Sequence, residues 1–162
     1  PAVEKGVLET AHGGVFAGYE LTDCRVTLLD GKHHPVDSSE MAFKVAAAQA
    51  LKEAIGSVGG TLLEPVMSIT VWTPEDHAGD VVSDLNTKRA KIHGINPDGE
   101  MSVVEAEVPL AEVQRYASDL RSITQGRGAF TLAFDHYGEV PGQIAQKVVA
   151  EHRKQVEEAH TR

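Results

Sequence analysis

Cys24 is the only cysteine, so there is no second thiol for an intrachain disulfide or for a cysteine-rich zinc site. Aromatic residues make up only 5% of the chain, and a core must therefore be built from Val, Leu, Ile and Ala rather than from stacked rings. No apolar run reaches the roughly 20 residues that a membrane-spanning helix needs. The opening Pro1-Ala2-Val3-Glu4-Lys5 lacks the basic and apolar regions of a signal peptide. Basic residues are scarce as well: 15 Lys and Arg stand against 24 Asp and Glu, a formal net charge of −9. Adhesion to nucleic acid over the whole surface is thereby excluded, because Lys or Arg must displace counterions from the phosphates. Any RNA contact has to be local. These absences point to a reducing, cytoplasmic setting. Pro1 in place of an initiator Met reads as a processed start or as a piece of a longer protein.

The usual catalytic signatures are also missing. There is no G-x-x-x-x-G-K-[ST] phosphate loop and no G-x-G-x-x-G after a strand, so neither common nucleotide cradle is encoded. No G-x-S-x-G elbow presents a nucleophile, and no H-E-x-x-H pair sets two imidazoles on one helix face. His33-His34 with Asp30 and Asp37 is the one cluster worth weighing as a metal site. Adjacent histidines point apart on most backbones, and a polar loop tip is the better account. No catalytic residue and no metal ligand is assigned.

What is present is a chain of 162 residues with 41% hydrophobic content, enough for one domain or two small ones. Val3, Val7 and Leu8 predict a short amphipathic helix over 1–11, stopped at Gly13-Gly14. Alternation of Cys24, Val26 and Leu28 predicts a strand over 21–29, and Asp30-Gly31 a turn. Asp37-Ser38-Ser39-Glu40 predicts a capped start for a helix over 41–55. Its apolar face is read as Met41, Val45, Ala48, Leu51 and Ile55. Gly56, Gly59 and Gly60 mark a domain boundary.

Beyond that boundary the order reads strand (66–72), helix (74–89), strand (91–95), strand (101–108), helix (110–121), strand (129–134). This βαββαβ order predicts a ferredoxin-like antiparallel sheet with both helices on one face. An amphipathic helix over 143–158 is left over. It needs a surface to cover and is expected to return to the N-terminal segment. The predicted class is α+β: a partial βαβ-type domain over 1–60 completed by the helical 141–162, and a ferredoxin-like domain over 61–140.

Local positive charge is the remaining signal. Lys88, Arg89 and Lys91, with His93, cluster where a helix passes into a strand, while Arg115, Arg121 and Arg127 bracket the second helix and its following loop. Both groups are candidates for RNA contact, although charged helix faces are usually only solvated.

The segments His34-Pro35-Val36-Asp37-Ser38-Ser39-Glu40-Met41, Leu62-Leu63-Glu64-Pro65-Val66-Met67 and Thr124-Gln125-Gly126-Arg127-Gly128 resemble, in order, the fourth and fifth domains of bacterial elongation factor G. Val108-Pro109-Leu110-Ala111-Glu112 and Asp119-Leu120-Arg121-Ser122 belong to the same resemblance. It implies a translational GTPase that moves transfer RNA and messenger RNA through the ribosome. In such a factor the fourth-domain tip enters the A site. The resemblance implies that Lys32, His33, His34, Pro35 and Asp37 contact the decoding centre or transfer RNA, with His34 matching the family's tip histidine. It assigns Lys88, Arg89, Lys91, Arg121 and Arg127 to ribosomal RNA. GTP and magnesium would belong to a domain outside this chain, and this chain would take no cofactor. The partners implied are both ribosomal subunits and the tRNA–mRNA pair, with no membrane and a monomeric state. Lys32, His33 and Pro35 depart from the family's usual tip residues, and Ala90-Lys91 interrupts its Arg-Gly-Gln pattern. These departures keep open a paralogue acting in ribosome recycling or protection. Outside translation two readings stay open, a small enzyme with an unrecognised site and a non-catalytic protein-interaction module using the ferredoxin-like sheet.

Overall fold

The computed structural model describes residues 1–160. They form five helices and four strands: α1 (Ala2–Gly13), α2 (Glu40–Val58), β1 (Leu63–Pro74), α3 (Ala78–Thr87), β2 (Lys91–Asp98), β3 (Met101–Pro109), α4 (Tyr116–Ile123), β4 (Ala129–Glu139) and α5 (Gly142–His160). Of the helical stretch expected over 141–162, the last two positions lie outside the described residues. Two compact units result. One is Leu62–Val140, and the other joins Pro1–Thr61 to the chain from Pro141.

In the sheet unit the strand order is β2-β3-β1-β4, all neighbours antiparallel. Because side chains alternate across a strand, Ile69 and Val71 of β1 share a face with Val104 and Ala106 of β3. The register pairs Ile69 with Ala106 and Leu132, and Val71 with Val104 and Phe130. Val81 and Leu85 of α3 and Tyr116 and Leu120 of α4 close over that face, and all are buried. The ring of Tyr116 meets Phe130 edge-on, with centroids 5.1 Å apart.

Each element expected here forms, with shifted ends. β1 continues through Pro74, so the single helix expected over 74–89 becomes a 3-10 turn at Glu75–His77 followed by α3. The second helix is divided in the same way by a 3-10 turn at Leu110–Glu112. β2 absorbs Asn96, Pro97 and Asp98, and the hairpin turns at Gly99, whose φ of 64° suits a residue without a Cβ.

The other unit differs from expectation. No strand forms over 21–29, and among the described residues the regular elements of this unit are the helices α1, α2 and α5 alone. The physical reason is that a strand needs a neighbour to take its backbone N–H and C=O groups, and the unit offers none. Alternation has no buried face to serve either: Val26 is 51% exposed and Leu28 67%. The partial βαβ arrangement expected for this region is therefore absent, while the α+β class of the chain stands.

α1 and α2 run in the same direction. Lys5 pairs with Glu40 at 3.1 Å and Glu9 with Lys44 at 2.8 Å, both 35 residues apart in sequence. Parallel helices require a return connection, which the chain supplies between residues 14 and 39. The contact is close because Gly6 is buried against the Lys44 backbone. The expected face of α2 is kept at Leu51, which is buried, and at Ala48 and Ile55, which are half-buried, but not in the first turns. Ala47 and Leu51 are buried, whereas Met41 and Val45 are 65% and 49% exposed.

A Cβ at residue 6 would lie 2.6 Å from the Lys44 carbonyl oxygen. Overpacking against backbone costs about 1–3 kcal/mol, more than the roughly 1 kcal/mol that Ala offers over Gly in a helix. Gly6→Ala should therefore lower the urea midpoint of the helical unit, and an unchanged or higher midpoint would contradict the close approach. In the sheet unit the Tyr116 hydroxyl is buried without a hydrogen-bond partner among the described residues. Burial, and then Asp84 and Asp119, push its ionisation above the ordinary tyrosine range. Tyr116→Phe removes only that orphaned hydroxyl and should leave the midpoint equal to wild type or higher, by up to about 1 kcal/mol.

Candidate nucleic-acid interface

The tip residues lie in the connection between α1 and α2. Gly31 donates its backbone N–H to Asp30 Oδ1 at 2.7 Å. Ser38 closes the next turn from both sides: its Oγ accepts from the His34 N–H at 2.6 Å, and its N–H donates to the His34 carbonyl at 3.1 Å. Ser39 Oγ accepts from the Ala42 N–H at 3.1 Å and caps α2. The two adjacent serines thus have different roles, one holding the loop and one starting the helix. His33 stacks on Phe43 with centroids 6.3 Å apart. Lys32, His33, His34, Pro35 and Asp37 are all exposed, and Val36 between them is 92% exposed. The arrangement is a pinned base carrying an open apex. Among the described residues no group of three or more His, Cys, Asp or Glu is placed to hold a metal ion.

The five cations of the sheet unit fall into two sorts. Lys88 Nζ lies 2.8 Å from Asp84 and 3.1 Å from Asp119, with its side chain 15% exposed. Burial works to lower its pKa, but hydrogen bonds to the two carboxylates outweigh this and raise it. Arg89 donates two hydrogen bonds to Glu64, at 2.7 and 3.0 Å, and one from Nε to Glu112 at 2.9 Å. Those bonds, led by Glu64 and opposed by burial, hold the guanidinium charged to still higher pH. Arg89 also has a φ of 60°, a left-handed conformation that costs a side chain roughly 1 kcal/mol. It lets one planar fork join the turn after α3 to the start of β1 and to the 3-10 turn after β3. Lys88 and Arg89 are thus committed to carboxylates of their own chain. Only the Asp84–Lys88 pair, four residues apart on one helix, is visible as spacing. Glu64, Glu112 and Asp119 as partners require the fold.

Lys91, Arg121 and Arg127 are exposed. Arg127 donates to His77 Nε2 at 2.7 Å and lies 3.4 Å from Asp76. Thr124 shapes the loop before it, accepting the Gly128 N–H at 2.9 Å and donating to the Leu120 carbonyl at 2.7 Å. The register separates these cations. Lys91 sits on edge strand β2 level with Glu107 and Ser68, whereas Arg127 precedes Ala129, which is level with Trp72 on the opposite edge strand. Three strand spacings and four residues along the strand put the two ends on the order of 20 Å apart. They do not form one patch.

The domain IV model of elongation factor G matches residues 1–58, and the model of its C-terminus matches residues 61–148. The chain belongs to the elongation factor G family. It is 52% identical over 151 residues to elongation factor G of Aquifex pyrophilus, covering 93% of this chain and 22% of that protein. A crystal structure of a Thermus thermophilus protein superposes with a TM-score of 0.79 at 43% identity, covering 94% of this chain and 23% of that one. The chain thus spans under a quarter of the length of these relatives and is the C-terminal region of a translation elongation factor. In elongation factor G terms, the tip loop falls in the segment matched by domain IV and all five sheet-unit cations in the segment matched by the C-terminus. No helix among the described residues is long and apolar enough to cross a membrane.

The Glu64–Arg89–Glu112 clamp gives a direct test. Arg89→Ala leaves Glu64, only 13% exposed, without its cation and should cost about 2–4 kcal/mol in chemical denaturation. A cycle with Glu64→Gln should return a coupling of about 1–3 kcal/mol. Additive single effects would show that the pair is merely adjacent.

Proposed function

We propose that this chain is the ribosome-binding C-terminal region of a translational GTPase, and that it supports translocation by placing the 31–36 loop in the A site. The observation that carries the reading is the ordered match of two consecutive elongation factor G models over almost the whole length. In this reading the chain works by shape and charge. Ser38 holds the base of the tip, so little ordering is needed when the apex enters a crowded site. His34, Lys32, His33, Pro35 and Asp37 meet the codon–anticodon helix, and a wedge there blocks backward slippage of transfer RNA. Lys91, Arg121 and Arg127 meet ribosomal RNA as separate contacts. Lys88 and Arg89 act mainly by fixing the elements that carry them, since their charges are already shared with Asp84, Asp119, Glu64 and Glu112. The factor acts in the cytoplasm as a monomer. GTP and Mg2+ belong to another domain, because no glycine-rich loop with a following Lys and Ser or Thr exists in this sequence.

A second reading, a paralogue in ribosome recycling or protection, is favoured by Lys32, His33 and Pro35 at the tip and by Ala90-Lys91 after the clamp. One experiment addresses both. In the full-length factor His34→Ala should slow single-round translocation roughly tenfold, about 1.4 kcal/mol of activation free energy, with ribosome-stimulated GTP hydrolysis near wild type. Wild-type factor that hydrolyses GTP on ribosomes without moving transfer RNA would reject translocation in favour of the second reading. An unchanged translocation rate in the variant would remove His34 from its role.

A further inference from the structure

The helical unit contains a cavity of about 500 Å³ between the last turns of α2, the 15–16 segment and α5. That volume lies within the range of small-ligand clefts. Phe16, 41% exposed, and Ile55 give it an apolar wall. Lys52, His152 and Arg153 bring donors to the same space. Glu157 is the one acid on the wall, and it already has a partner within the chain. Lys52 and Arg153 make no ion pair among the described residues, unlike Lys5, Lys44, Lys88 and Arg89. Gly18, at a φ of 74°, packs so closely on the His152 ring that a Cβ there would overlap the imidazole.

We propose that this cavity binds one nucleotide of single-stranded RNA, the base against Phe16 and Ile55 and the phosphodiester between Lys52 and Arg153. A flat apolar wall beside two uncommitted cations is what a base with its own phosphate needs. An acidic peptide would leave the aromatic wall unused. A free di- or triphosphate is disfavoured because the cavity opens beside the C-terminal turns of α2, where carbonyl ends repel multiple negative charge. A single diester charge meets the cations with less of that penalty. The inference deepens the ribosome-binding reading by adding an RNA contact remote in sequence from the tip. It depends on that reading only for where such RNA is encountered.

The test is a titration of the isotopically labelled 162-residue chain with a short oligouridylate, followed by amide NMR shifts and by fluorescence anisotropy at low and high salt. The expected result is shifts centred on residues 15–18, 52–56 and 152–157. The Lys52→Ala, Arg153→Ala double variant should bind at least roughly tenfold more weakly with a shallower salt dependence. Phe16→Ala should lose affinity at an unchanged salt slope. If Phe16→Ala fails to fold by circular dichroism, the exposed double variant carries the test. Inorganic phosphate that reproduces the shifts at equal affinity, oligouridylate shifts confined to the 31–36 loop, or equal binding by the double variant would each overturn the proposal. Ribosome binding by the full-length factor is measured alongside. Loss of ribosome affinity with the cavity still filling refutes the functional reading alone, and a retained ribosome affinity with no RNA in the cavity refutes this inference alone.

Discussion

A chain with 24 acidic and 15 basic residues can approach a polyanion only where its cations are spared from its own carboxylates. That constraint sorts most of the Lys and Arg residues discussed above, with Arg127 in between, exposed and 3.4 Å from Asp76. Lys5 and Lys44 are spent in register between two helices, and Lys88 and Arg89 are spent within the sheet unit. In each case the ion pair fixes the direction or spacing of an element. The exposed pairs contribute little to stability by themselves. Their consequence is geometric: they hold those cations against carboxylates of the same chain, whereas Lys32 near the tip, Lys91 and Arg121 on the sheet unit, and Lys52 and Arg153 at the cavity are among the exposed cations without an ion pair among the described residues. On the sheet unit, Lys91 and Arg127 are separate points of positive charge rather than one patch.

The two units solve the packing problem differently. The sheet unit buries Ile69, Val71, Val104 and Val108 completely beneath two short helices, and a rigid frame results from alternation on β1 and β3. The helical unit relies on a close approach at Gly6 and on a long connection that stays open. Its exposed apolar residues Leu28, Leu29 and Val36 lie in that connection, beside the apex that Ser38 pins. Local rigidity at the base and exposure at the tip are compatible because reciprocal bonds between His34 and Ser38 need no burial.

Much of this is legible in the residues. Alternation locates all four strands of the sheet unit, and helical spacing locates five helices, because burial on one face imposes a period that composition cannot hide. Periodicity misleads where it lacks a partner: Cys24, Val26 and Leu28 alternate, yet alternation makes a strand only beside another strand. The first turns of α2 depart from the helix's apolar spacing for a related reason, while Ala48, Leu51 and Ile55 follow it. Met41 and Val45 are apolar, but α1 docks where Gly6 lets the backbones meet, against Lys44. Among the candidate contacts, spacing identifies the cations and cannot rank them.

Local pattern and ordered motifs are enough to set the α+β class, the order of elements in the sheet unit, the family and the place of the loop before α2. The tertiary structure alone decided which charges are free and which are consumed. Ion pairing depends on distances of a few ångströms between residues that are 25 positions apart for Arg89 and Glu64 and 35 for Lys5 and Glu40. No local pattern encodes such distances, because the strand register and the helix crossing that set them form only when the chain packs.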